Sequence, residues 1–324
     1  MLQQFVAVIR GGPSSEYSVS MNTGMAVLDS LRSQVYRVVD IVISRDGDWL
    51  REGKTVTPEI ALEGIDTVFI ALHGTYAEDG EVQRILRRLR IPYNGSGPLA
   101  SAIAFNKLLT KETLMRYGVL MPKHVNLKRT DIQNIDDIIS SVEVEFGPEY
   151  IIKPLSNGSS IGVQLVHAGQ PLKQAVLDSL STFDSILVEE LVRGKEATSA
   201  ILENYRGEDI YSFPAIEIAL QPDTQFFSNE AKYSKPTEVI CPARFSFEER
   251  ELLSEVTQLV HKTLNLRQYS RSDFIVRDGK VYFLEVNTLP GLTKSSLYPK
   301  AAEAVGMTFD QLVEHLVQTS SICE

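Results

Sequence analysis

Along the first ninety residues, short apolar runs alternate with amphipathic stretches. Phe5–Ile9, Arg37–Ile43 and Thr67–Leu72 predict strands, and the segments after Ser18 and over Glu81–Leu89 predict helices. Strands separated by helices imply a parallel sheet with crossover helices, whose ligands collect beyond the strand C-termini. Two of those ends are unusual, IRGGPSSEYSVS after the first strand and ALHGTYAEDGE after the third. At Tyr93–Ser101 the composition shifts to a linker and a helix start. Beyond it the pattern predicts a lysine-rich helix (NKLLTKETLMRYG), a polar helix over Asp131–Glu145, and the strand EYIIKPL. The loop SNGSSIG, the strand VQLVHA, a helix and the strand SILVEELV follow. From Glu189 onward come antiparallel strands, a Pro- and Ser-bearing loop at Ser228–Pro236 and a helix at Ser246–Leu264. The strands Arg271–Val276 and Lys280–Val286, joined by the turn RDG, precede closing helices. The expected division is residues 1–97, an N-terminal parallel-sheet α/β lobe, then two α+β lobes, 98–188 and 189–324.

The 324 residues suffice for more than one core, and 43% hydrophobic with 23% charged residues is an ordinary globular composition. The apolar run at Phe5–Ile9 is too short for a signal-peptide core and no stretch reaches a membrane span, which predicts a cytoplasmic protein without a membrane partner. Cys241 and Cys323, without CxxC spacing or a nearby His pair, read as free thiols. The net charge of −10, with scattered basic residues, argues against nucleic acid as a partner. The dense group Arg87–Arg90 reads as the exposed end of a helix.

Chemistry concentrates where the last hairpin ends. Glu285 and Asn287, two apart on a strand, face the same way, and folding the RDG hairpin brings Asp273 beside them. Two carboxylates and an amide suit Mg²⁺, which takes one or two carboxylates plus substrate phosphates. The alternative is solvated strand charges, weakened by the apolar strand that carries them. Lys153–Gly162 is a donor-rich loop behind a lysine that can close over phosphates, although it is no Walker A loop and Ser/Gly hairpin loops are common. The Glu189–Leu191 run followed by Glu196 reads as a hinge facing a base and a ribose, or as an exposed acidic strand end. Glu16 near a helix start suits the helix dipole as well as a ligand role. His73 is equally a structural histidine, and Tyr233 lies in a loop, where function concentrates.

In order, GGPSSEYSVS, ALHGTYAEDG, NKLLTK, IIKPLSNGSSIG, VEEL, EAKY, ICPA, RSDF and EVNTLPGLTKSSLYP resemble the ATP-grasp superfamily, and within it the D-alanine:D-alanine ligase family, over nearly the whole chain. The resemblance implies an ATP-grasp architecture in which the two α+β lobes enclose ATP. It implies ATP-dependent ligation of two D-alanines through an acylphosphate, for peptidoglycan precursors, in a homodimer. Lys107, Lys153 and Lys232 would contact phosphates, and Glu189, Leu191, Val192 and Glu196 would hold adenine and ribose. Asp273, Glu285 and Asn287 would hold two Mg²⁺ or Mn²⁺. Glu16 would pair with the first D-alanine's ammonium and share a hydrogen-bonded group with Ser159 and Tyr233, and His73 would meet that substrate's carboxylate. Arg271 and the Gly291 N–H would stabilise the oxyanion, and Ser296 and Leu297 would hold the second substrate's carboxylate. Closure of the Ser228–Pro236 loop with the Lys153–Gly162 loop would exclude water.

The chain departs from the family pattern at Thr75–Ala77, where glycines are usual, and at Ser272, usually apolar. Relatives making D-alanyl-D-serine or D-alanyl-D-lactate are the nearest alternative, and Tyr233 favours the dipeptide because lactate-making relatives lack it. A regulatory nucleotide-binding protein without catalysis is the other, disfavoured by the intact Arg271, Asp273, Glu285 and Asn287.

Overall fold

A computed structural model describes residues 3–156, 162–219 and 238–322. In the N-terminal layer, β1 (Phe5–Gly11) lies between β2 (Arg37–Ile43) and β5 (Thr67–Ile70), parallel to both. Parallel neighbours need a crossover, and α1 (Tyr17–Arg32) supplies the first. Val6–Ile9 are fully buried, as a central strand covered on both faces requires. The apolar pattern misses the hairpin of β3 (Trp49–Arg51) and β4 (Lys54–Val56), which adds antiparallel strands beyond β2 and makes the sheet mixed. Strands of three residues are too short for an alternation to register. The layer continues through α2 (Pro58–Ala61) and α3 (Glu81–Leu89).

Two helices follow, α4 (Pro98–Phe105) and α5 (Lys107–Met115). Asn106 starts α5, its side chain accepting the N–H groups of Leu108 and Leu109. The second sheet is antiparallel, ordered β6 (His124–Lys128), β9 (Ser185–Glu190), β7 (Tyr150–Pro154), β8 (Gln164–Val166). It packs on α6 (Ile135–Phe146) and α7 (Leu172–Thr182) through Ile139, Val142, Ile152, Val176, Leu180 and Val188. The α-helix begins at Ile135 instead of Asp131 because residues 129–134 form a 3₁₀ turn, in which Asp131 Oδ2 accepts the Lys128 N–H at 2.8 Å.

The third sheet is also antiparallel, ordered β13 (Glu238–Ile240), β12 (Ile216–Ala219), β10 (Lys195–Tyr205), β14 (Tyr269–Arg277), β15 (Lys280–Asn287), with β11 (Glu208–Ser212) paired to β10. One face carries Phe274, Val276, Val281, Phe283 and Val286 against Leu253 and Val260 of α8 (Phe247–Thr263). A Ser246–Glu249 capping box opens that helix. After α9 (Leu297–Glu303) the chain returns to the N-terminal layer, where α10 (Phe309–Gln318) buries Leu312, Val313 and Leu316 in the same core as β1. Ser30 Oγ of α1 donates to Asp310 Oδ1 at 2.6 Å. Among the described residues no helix is long and apolar enough to cross a membrane.

Candidate functional site

The register of β14 and β15 explains how a buried strand presents carboxylates. Phe274 pairs with Phe283, but Asp273 pairs with Glu285, so Leu284 is an extra residue in β15. A bulge of this kind reverses which face later residues take. Val281 and Phe283 face α8, and after the bulge Val286 does so while Glu285 and Asn287 turn to the opposite face. Arg271, opposite Asn287, and Asp273 share that face, as does Thr198 of β10, opposite Asp273. Glu196 lies two residues before Thr198 and therefore on the same side.

Arg271 donates from Nε to Asp273 Oδ1 at 3.0 Å and from an Nη to Oδ2 at 2.8 Å. Thr198 Oγ1 donates to the same carboxylate at 2.6 Å, and the Asn287 amide reaches Oδ2 at 3.4 Å. Burial works against the Arg271 charge, but Asp273, with Glu285 and Glu78 behind it, raises its pKa. Lys107, the first residue of α5, places Nζ 3.2 Å from Glu285 Oε2.

The strand ends of the N-terminal sheet supply a second group. Gly74 has φ +72°, and a Cβ there would stand 2.8 Å from Glu16 Oε2, so glycine lets the backbone approach that carboxylate. Ser14 Oγ donates to the His73 carbonyl at 2.7 Å. The His73 ring is buried with both nitrogens engaged, Nδ1 at 3.1 Å from the Leu289 carbonyl and Nε2 at 2.8 Å from Thr23 Oγ1. A carbonyl only accepts, which assigns the proton to Nδ1 and leaves Nε2 to accept from Thr23. Burial holds the ring's pKa below its ordinary value, against the pull of Glu16.

Glu78, absent from the sequence-derived site, lies buried in the same loop and accepts the Gly74 N–H at 3.0 Å. Burial and the Glu16 charge push its carboxyl up from 4.5 to about 8. The folded chain thus holds a proton that the unfolded chain releases, and the associated stability is present below pH 4.5 and lost as pH rises toward about 8. Glu78→Gln keeps the acceptor and removes the ionisation. Its melting temperature is expected to rise relative to the unsubstituted protein as pH climbs through that window, with no gap at the acid end. Calorimetry of both proteins across the window checks this, and a pH-independent difference would contradict a neutral, buried Glu78.

The second sheet contributes Lys153 and Glu189. Glu189 is opposite Ile151 on the neighbouring strand, so Lys153, two residues on, is its diagonal neighbour on one face. Lys153 Nζ stands 2.7 Å from Glu189 Oε2, and Lys111 Nζ of α5 stands 3.0 Å from Oε1. Burial opposes the Glu189 charge, yet the two ammoniums outweigh it and hold the carboxyl below its usual range. Burial lowers the Lys111 pKa. Leu191 and Val192 follow after Glu190, half-buried, with the Leu191 N–H donating to the Glu149 carbonyl at 3.0 Å. A groove of about 620 Å³ beside them is lined by Glu149, Leu191, Arg193 and Asp278 and includes none of the clustered catalytic candidates.

In the segment after β15, Ser296 is the N-cap of α9 and Leu297 its first residue. Ser296 Oγ accepts the Thr293 N–H at 3.1 Å and meets Thr293 Oγ1 at 2.7 Å. A Cβ on Gly291 would lie 3.1 Å from that hydroxyl. Ser159, Lys232 and Tyr233, with the Ser228–Pro236 loop, lie outside the described residues. Lys111 was legible only as part of a lysine-rich helix, although its i+4 spacing from Lys107 places both on one helix face. Thr198, in an apolar strand, gave no signal.

Two family models match the chain in succession. Residues 113–318 match the family model described as D-ala D-ala ligase C-terminus, and residues 5–60 and 51–96 match D-ala D-ala ligase N-terminus. A D-alanine–D-alanine ligase from Desulforudis audaxviator is 38% identical over 315 residues, 97% of each chain. Among solved structures, the Bacillus anthracis D-alanine–D-alanine ligase complexed with ATP is 30% identical with a TM-score of 0.79, covering 98% of this chain and 97% of that one. The VanG D-Ala:D-Ser ligase of Enterococcus faecalis is 27% identical with a TM-score of 0.83, covering 98% and 99%.

Proposed function

Since the chain belongs to the D-alanine:D-alanine ligase family, we propose that it uses ATP to join two D-alanines into D-alanyl-D-alanine for peptidoglycan precursors, releasing ADP and phosphate. The observation that carries this reading is the single sheet face bearing Arg271, Asp273, Glu285 and Asn287, with Lys107 at 3.2 Å from Glu285.

A carboxylate is a poor electrophile, so the γ-phosphoryl of ATP first moves to the carboxylate of one D-alanine. Lys107 and Lys153 lie where ammoniums can offset phosphate charge. Glu189, Leu191, Val192 and Glu196 form the side toward adenine and ribose. Glu16, against Gly74, pairs with the first substrate's ammonium, and His73, its ring held between the Leu289 carbonyl and Thr23, serves the side of that substrate's carboxylate. The amine of the second D-alanine, its carboxylate toward Ser296 and Leu297, attacks the acylphosphate. The developing oxyanion falls to Arg271 and the Gly291 N–H, and phosphate departs.

The donors on the β14–β15 face fit divalent cations, since Asp273 and Glu285 offer carboxylates and Asn287 an amide oxygen, an all-oxygen set that leaves positions for phosphate. These residues would hold two Mg²⁺ or Mn²⁺, which when bound neutralise charge on the phosphoryl oxygens. We further propose a homodimer in the cytoplasm and the three lobes delimited above.

The VanG likeness keeps D-alanyl-D-serine synthesis as the competing reading. ADP release is expected with D-alanine alone, and not with L-alanine. Addition of D-serine or D-lactate is expected to change the product little. A requirement for D-serine or D-lactate alongside D-alanine would replace the proposed product.

A further inference from the structure

Lys111 is completely buried, and its ammonium meets Glu189 on the oxygen that Lys153 does not occupy. Lys107, one turn earlier on the same face of α5, reaches Glu285 on the third sheet. A short helix thus sends one cation to each of two sheets. Two ammoniums, Lys111 and Lys153, face the single Glu189 carboxylate, an excess of one positive charge across these contacts in a buried place. That excess suits a polyanion.

The arrangement also solves a difficulty. A buried carboxylate paired with one lysine resists releasing it, because the stranded charge is strongly disfavoured. With a second ammonium on the other oxygen, Lys153 can swing from Glu189 to a phosphate while the carboxylate keeps a partner. We propose that Lys111 is a positioning residue for nucleotide binding, which holds Glu189 in place so that Lys153 is free to engage the phosphates of ATP. This inference rests on the ATP reading above, and the two fail differently: without ATP use the unsubstituted enzyme releases no ADP, whereas an error here leaves it active.

Lys111→Met, close in length and without charge, is expected to raise the KM for ATP by about 10- to 100-fold while the KM for D-alanine stays within about twofold. Lys111→Arg restores much of the loss. In a Glu189→Gln background, where no carboxylate charge needs holding, Lys111→Met is expected to add little. An unchanged KM for ATP, equal increases for both substrates, or full additivity with Glu189→Gln would overturn the proposal. Should Lys111→Met not fold, the unsubstituted protein decides the matter by nitrogen-15 lysine NMR during titration with ADP and Mg²⁺. The Lys153 ammonium signal, assigned by its loss in Lys153→Arg, is expected to shift while the Lys111 signal stays put and protected from exchange. Lys111 moving together with Lys153, or Lys153 not responding, would overturn it.

Discussion

Glu285→Gln is expected to slow D-alanine-dependent ADP release by roughly a thousandfold or more, because it removes a ligand charge from several kcal/mol of phosphoryl-charge neutralisation. The fold should survive. Glu285 is half-exposed on the face away from α8, so the substitution removes no core volume. Asn287→Ala should follow the same course, since Asn287 lies opposite Arg271 on that face. Circular dichroism establishes folding, and turnover over a Mg²⁺ titration establishes the role. Either variant running near the normal rate at ordinary Mg²⁺ would refute the ligand assignment.

Arg271→Met should cost about 10²- to 10³-fold in kcat, the usual loss on removing a donor from an oxyanion site. Arg271→Lys should rescue little, because the guanidinium grips both oxygens of Asp273 in a fork that a single ammonium cannot reproduce. The role predicts which step suffers. If Arg271 stabilises the tetrahedral intermediate, the acylphosphate still forms and then waits, so hydroxylamine should trap more of it in Arg271→Met than in the unsubstituted enzyme. Loss of turnover with no trapped acylphosphate would place Arg271 in the phosphoryl transfer instead.

Local patterning carried far in this chain because its elements are mostly long enough to show a period. The helix at Glu81–Leu89 and the strand at Arg37–Ile43 follow from their apolar spacing. The three-residue strands β3 and β4 and the 3₁₀ turn before α6 do not, since each is shorter than the pattern that would reveal it. The nearness of Asp273, Glu285 and Asn287 was legible because an i, i+2 spacing and a tight turn fix it within one hairpin.

Other features depend on partners distant in sequence. Strict alternation would have left Glu285 on the side of Phe283, facing α8. The bulge at Leu284 turns it away, and its presence follows from pairing with β14 and not from the composition of β15. Glu189, read from the sequence as a nucleotide-side carboxylate, also stands between Lys111 and Lys153, brought there by α5 and by the diagonal of β7 on β9. Glu78 is an ordinary loop glutamate until burial and the charge of Glu16 raise its pKa. Spacing along the chain determined the longer elements and the nearness of Asp273, Glu285 and Asn287 in the last hairpin, and the ordered motifs carried the resemblance to the family. Tertiary structure alone decided which faces meet, how buried charges are shared and which protons are held, because burial and Coulomb interactions depend on distance in space.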